Sequence, residues 1–161
     1  YHGGYVGAFL SKGLSNEFIL KLNEDLRLTY KRIFKELRLT QAWIFKYDST
    51  KVGTNIHADQ ASVNVNFWIT PERANLDKES GGLKIWNRLP PEDWNFSEYN
   101  SLEKSHKIME MLVSKRIPNM TIPFIENRAV IFNSKLFHAT DDFKFDNSYE
   151  NRRVNITFLY D

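Results

Sequence analysis

His57-Ala58-Asp59-Gln60-Ala61-Ser62-Val63-Asn64-Val65-Asn66-Phe67-Trp68-Ile69 is the stretch on which the reading of this chain turns. Its second half alternates. Val63, Val65, Phe67 and Ile69 fall on one face of an extended segment, and Asn64, Asn66 and Trp68 fall on the other. The last strand-like run repeats the pattern, with Val154, Ile156, Phe158 and Tyr160 opposed to Arg153, Asn155, Thr157 and Leu159. Two arrangements fit. The commoner one turns the apolar face to the core and the polar face to water. The other is a barrel whose polar interior holds a ligand while its apolar exterior packs beneath helices. The pattern alone leaves both open.

Working outward, residues 41–47, 82–86, 120–124, 128–133, 136–140 and 153–160 also read as strands, being aromatic, β-branched or alternating. Residues 15–37 predict a helix capped by Ser15, with Phe18, Leu22, Leu26, Tyr30, Ile33 and Leu37 as its apolar stripe. A second helix is predicted over 101–116, with Leu102, Met109, Leu112 and Val113 towards the core. Short strands under a helical cover imply a mainly β protein with flanking helices, a mostly antiparallel sandwich or barrel. Two long polar loops, 70–81 and 87–100, interrupt it. The second carries Trp94, Phe96 and Tyr99, which suit either a lid or ordinary loop packing, the latter favoured.

The chain has 161 residues, enough for one domain, and with 42% hydrophobic and 14% aromatic content it can bury a sizeable core. Twenty-two basic residues against 20 acidic ones give a net charge of +2 without a concentrated basic stripe, so there is no clear nucleic-acid signal. No apolar run is long enough to span a membrane. With no cysteine, disulfides, thiolate metal sites and cysteine nucleophiles are excluded. The start at Tyr1 without a methionine is read as an N-terminal truncation, with a cytoplasmic location favoured.

Three places carry chemistry. His57 and Asp59 are two residues apart on an extended segment, so an imidazole and a carboxylate point the same way. Such a triplet arises by chance in about one chain in five of this composition. His138 follows an apolar run, where a packed core histidine is commoner than a ligand. Two histidines and one carboxylate nevertheless form the facial ligand set of non-haem iron(II), which leaves open positions. Arg153 opens the last strand, and its planar fork matches a carboxylate. A surface ion pair is its ordinary alternative, and the neighbouring Arg152 is assigned that role. His2 and His106 are read as unremarkable.

In this order the residues resemble the Fe(II)- and 2-oxoglutarate-dependent oxygenases, and in several segments their prolyl-hydroxylase-like branch. His57-x-Asp59 comes early, His138 late, and Arg153 on the final strand. Tyr47 lies ten positions before His57, Ser80-Gly81-Gly82-Leu83-Lys84-Ile85-Trp86 is similar to that branch's Gly-Gly-Leu strand, and Arg153-Val154-Asn155-Ile156-Thr157 to its closing strand. The resemblance covers about residues 41–160. It implies a double-stranded β-helix (jelly-roll or cupin-like) core over 41–161, helical support over 1–40, and the polar strand faces as its interior.

The resemblance also implies that His57, Asp59 and His138 bind Fe(II) and act as the catalytic centre. It implies 2-oxoglutarate as cosubstrate with its far carboxylate on Arg153, and O2 as the oxidant. Tyr47, Asn66, Thr157 and Asn155 are then cosubstrate contacts. Trp68, where relatives more often have tyrosine, is expected to shape that pocket. If the register shifts by one, Arg152 takes the place of Arg153. The implied reaction is hydroxylation of a protein side chain or small metabolite, with release of succinate and CO2. Two alternatives remain: a non-catalytic metal-binding jelly-roll module and a zinc-dependent hydrolase.

Overall fold

The computed structural model describes residues 4–48 and 53–161; His2 lies outside them. In chain order the strands are β1 Tyr5–Phe9, β2 Leu39–Tyr47, β3 Val63–Trp68, β4 Leu83–Trp86, β5 Asn119–Ile122, β6 Arg128–Asn133, β7 His138–Thr140 and β8 Val154–Tyr160. They form a larger sheet in the order β1-β2-β8-β3-β6 and a smaller one in the order β5-β4-β7, antiparallel throughout. The helices are α1 Glu17–Thr29, α2 Lys31–Phe34, α3 Phe96–Asn100 and α4 Ser105–Ser114.

The larger sheet resolves the question of sidedness. Its register sets Val65 opposite Phe158 and Asn66 opposite Thr157, so side chains of like character align across strands. Val65, Ile156, Phe158 and Tyr160 pack outward against Ile19 and Leu26 of α1 and Phe34 of α2. Each such burial is worth about 1.5–3 kcal/mol relative to exposure. The opposite face, with Asn64, Asn66, Asn155 and Thr157, turns into a cavity between the two sheets. The polar face is therefore the interior. The outer face of the smaller sheet is covered by Ile108 and Leu112 of α4, which meet Trp86, Phe137 and Ala139.

Several local expectations are corrected. The cap of α1 is Asn16, whose side chain accepts from the Ile19 amide at 3.0 Å, and Ser15 lies outside it. The helix does not run on to residue 37, because Tyr30 leaves helical geometry at φ −111° and ψ 50°. Ile19, Leu26 and Phe34 are accordingly the buried residues, while Phe18, Tyr30 and Ile33 are exposed. In α4 Leu112 is buried as expected, together with Ile108, whereas Met109 and Val113, and Leu102 ahead of the helix, face outward. Residues 102–104 form a separate helical turn, which shifts the stripe.

The first 40 residues are not wholly helical. Tyr5–Phe9 forms β1, paired with Trp43–Tyr47 of β2. Gly7 disguised this strand, and it has a packing reason: a Cβ there would lie 3.1 Å from the Phe45 ring, which is directly across. The loop 87–100 contains α3, started by a capping box in which the Asn95 side chain accepts from the Ser97 amide and Glu98 accepts from the Asn95 amide. Its Trp94 packs against Phe137, whereas Phe96 lines the cavity described below.

Candidate metal centre

A single antiparallel bridge brings the two histidines together. His57 and His138 exchange both backbone hydrogen bonds, N to O, at 3.0 and 2.8 Å. Their side chains therefore leave the same side of the pair, with ring centroids 4.4 Å apart. Asp59 is placed by its own amide, which donates to the Ser134 carbonyl at 3.1 Å. His57 Nε2 lies 3.7 Å from Asp59 Oδ1, and His138 Nε2 lies 3.5 Å from Asp59 Oδ2. One ligand atom from each residue fits within 4.8 Å of the others.

The surroundings prepare all three as ligands. His57 Nδ1 meets the Asn55 carbonyl at 2.6 Å and His138 Nδ1 meets the Leu136 carbonyl at 2.8 Å. A carbonyl only accepts, so each Nδ1 carries the proton and each Nε2 presents its lone pair to the common point. Burial, with the neighbouring His138, pushes the His57 imidazole down to about 4, so it is neutral at pH 7. Burial alone would raise the Asp59 carboxyl. The contacts of Asp59 with His138, His57 and Asn100 outweigh it and hold the group below its usual range. Asn64 and Asn100 also donate to Asp59, at 3.2 and 3.3 Å.

The cavity beside this cluster measures about 860 Å³, and Arg153 lines it together with the cluster. Arg153 is 2% exposed. Nε donates to the Gly81 carbonyl at 2.8 Å, Nη1 to Asn155 Oδ1 at 3.2 Å and Nη2 to the Gly82 carbonyl at 3.4 Å. The guanidinium sits between the rings of Tyr47 and Phe143, at 5.1 and 5.6 Å. Among the described residues no carboxylate comes within 4 Å of it. Burial lowers its pKa, with Tyr47 and Asp141 opposing that shift. The result is a buried cation with neutral partners, aimed into a cavity that also presents a metal-ligand set. Both features fit a chelating dicarboxylate between metal and guanidinium.

Most of the expected contacts converge here. Tyr47, Asn66, Asn155 and Thr157 all line the cavity, and Tyr47 is fixed by a 2.9 Å hydrogen bond between its hydroxyl and that of Thr54. Trp68 does not line it. This is a correction: Trp68 is fully buried in a separate apolar cluster, stacked on Phe124 at 5.6 Å. It lies on the inner face as expected, but near the end of β3 where that cluster fills the space between the sheets. Arg152 points elsewhere and is not among the cavity residues. Asn64 and Asn100 were not singled out from sequence. Asn64 shares the face of Asn66, a readable signal, whereas Asn100 reaches the Ala58 carbonyl and Asp59 from α3 with no local pattern to mark it. The rest of the wall is aromatic: Tyr5, Phe9, Trp43 and Phe45 form a continuous set of ring contacts beside the cluster.

No protein-family model matches the chain, and no curated protein matches its sequence. Solved structures do match its fold. One is the non-heme alpha ketoglutarate dependent epimerase SnoN from nogalamycin biosynthesis, at 13% identity and TM-score 0.59, covering 99% of this chain and 64% of that one. AviO1 from Streptomyces viridochromogenes Tue57 matches at 14% identity and TM-score 0.60, over 97% of this chain and 66% of that one. EctD from S. alaskensis, solved with 2-oxoglutarate and 5-hydroxyectoine, matches at 13% identity and TM-score 0.59, over 96% and 55%. The chain therefore has the double-stranded β-helix fold of iron- and 2-oxoglutarate-dependent enzymes. It spans 35% of another matched structure, EvdMO1, and about two thirds of AviO1. None of these names points to the prolyl-hydroxylase-like branch.

Proposed function

We propose that this chain is the core of an Fe(II)- and 2-oxoglutarate-dependent oxygenase. The observation that carries the reading is one cavity containing both a cluster of two histidines and a carboxylate and a buried arginine that, among the described residues, has no carboxylate within 4 Å. His57, Asp59 and His138 would hold iron from one side, leaving the cavity side for cosubstrate and oxygen. Bound iron with 2-oxoglutarate and O2 supplies oxidation of a substrate C–H bond, the cosubstrate leaving as succinate and CO2. Arg153 binds the far carboxylate, Tyr47 orients the guanidinium, and Asn66, Asn155 and Thr157 line the path between. Hydroxylation is the outcome we propose.

The aromatic wall faces the same cavity and excludes water from the reacting end. It carries no charged group, and the cavity volume lies in the range of small-molecule sites. We therefore favour a small, largely uncharged metabolite over a protein side chain as substrate. SnoN has been solved with nogalamycin RO and EctD with 5-hydroxyectoine, both small molecules, which supports that preference. A zinc hydrolase is disfavoured because Asp59 is the sole carboxylate among the described lining residues, leaving no separate general base.

The test is an anaerobic visible titration of metal-free protein with Fe(II) and then 2-oxoglutarate, alongside His138→Ala. A weak charge-transfer band that needs metal, cosubstrate and His138 is expected. Folded protein that binds iron yet gives no band with 2-oxoglutarate would overturn the assignment.

A further inference from the structure

Between Arg153 and Asp59 runs an unbroken line of buried amides. Arg153 Nη1 donates to Asn155 Oδ1 at 3.2 Å, and Asn155 Nδ2 donates to Asn66 Oδ1 at 3.2 Å. Asn66 Nδ2 donates to Asn64 Oδ1 at 2.6 Å, and Asn64 Nδ2 donates to Asp59 Oδ2 at 3.2 Å. Asn64, Asn66 and Asn155 are all buried. The polarity of this line is forced. A guanidinium only donates and an ionised carboxylate only accepts, so three amides between them satisfy all four bonds in one orientation alone. Every carbonyl faces the cation and every NH2 faces the anion.

Aligned hydrogen bonds in a low-dielectric interior polarise one another. A cation at one end draws electron density along the line, strengthens the last N–H donor and makes Asp59 a poorer metal donor. The alternation of β3 and β8 places these residues, since Asn64 and Asn66 are two apart on β3 and Asn155 lies diagonally across from Asn66 on β8. Hydrogen-bond partners behind a metal ligand tune its affinity. Here the partner's partner leads to the residue assigned to hold the cosubstrate.

We propose that Asn155, Asn66 and Asn64 form a relay through which the charge of Arg153 weakens metal binding at Asp59, and through which a dicarboxylate that neutralises Arg153 tightens it. The proposal rests on the metal and cosubstrate assignments above. These three asparagines are positioning residues, acting on the metal through Asp59. The relay makes metal and cosubstrate binding mutually reinforcing, with each raising the affinity for the other by the same factor.

The experiment is a Co(II) titration of metal-free protein, read by visible absorption, with no cosubstrate present. The four proteins are wild type, Arg153→Met, Asn66→Leu and the double variant, each checked for folding by its thermal melt. Removing the Arg153 charge is expected to tighten Co(II) binding about fivefold in the wild-type background. The same change should have little effect once Asn66→Leu has broken the line. Asn155→Leu breaks it from the neighbouring strand and should give the same loss, so either folded variant suffices. A purely structural role for Asn66 would lower affinity equally with or without Arg153 and leave the fivefold step intact, as would a direct field across the cavity. That result overturns the relay alone. Failure of folded wild-type protein to bind Co(II) overturns the metal site as well.

Discussion

Arg153 is a buried cation held by neutral partners. Its guanidinium is buried among carbonyls and rings with, among the described residues, no carboxylate within 4 Å, an environment suited to receiving an anion. Arg153→Met should weaken 2-oxoglutarate binding at least about thirtyfold while metal binding persists. Isothermal titration of the metal-loaded protein checks this, and unchanged affinity would remove Arg153 from the site. Tyr160 makes a separate case. Its ring packs on Phe34 at 4.6 Å, and its buried hydroxyl has no hydrogen-bond partner among the described residues. Burial raises its pKa, against the opposing charge of Arg27. The unfolded chain therefore releases this proton near pH 10 while the folded one keeps it. Stability should be intact below that pH and fall above it by about 1.4 kcal/mol per pH unit. Tyr160→Phe should remove that share of the alkaline loss and be neutral or stabilising at pH 7. Urea melts of both proteins from pH 8 to 11 would show it, and parallel curves would contradict it.

Among elements, β4 shows how a sequence feature acquires a physical cause. The Gly81-Gly82 pair looked like a family signature. In the structure both carbonyls accept from Arg153, and Gly81 holds φ at +91°. A Cβ on Gly82 would lie 1.8 Å from the Ile122 carbonyl oxygen and 2.9 Å from the Phe124 amide nitrogen, backbone atoms that no rotamer change can move. Gly82→Ala should thus cost at least about 3 kcal/mol and also reduce 2-oxoglutarate affinity, because the strand pair must separate. Gly7→Ala, whose new Cβ meets only the Phe45 ring, should cost far less in the same urea comparison. Strands were legible wherever period-two alternation was strong, as in β3 and β8. Helix faces were less so: α1 and α4 are short, interrupted at Tyr30 and at 102–104, and a break of one residue rotates the apolar stripe by about 100°. β1 was missed because Gly7 breaks its pattern.

At the scale of the molecule, the site joins segments far apart in sequence. His57 and Asp59 precede β3, His138 opens β7, and Asn100 ends α3. The residue types and their order were enough to suggest three candidate metal ligands, because that chemistry has few donor sets. Which residues stand behind them was not legible, since Asn100 meets Asp59 only through the packing of α3, and Trp68 was misplaced because alternation gives a face but not a depth. The same non-local assembly has a thermodynamic consequence. The unfolded chain offers no arrangement of these three residues comparable to the folded one, so a metal held by them would bind the native state selectively. At a hundredfold excess over the dissociation constant the gain is about 2.7 kcal/mol, or roughly 5–10 °C in melting temperature for a domain of this size. Co(II) should raise the melt of metal-free protein by that amount, a chelator should reverse it, and adding 2-oxoglutarate should raise it further. His138→Ala should lose most of the metal-dependent shift while keeping a cooperative melt, because the bridge that pairs residues 57 and 138 is made by backbone atoms. An equal shift in that variant would mean that the stabilising metal sits elsewhere.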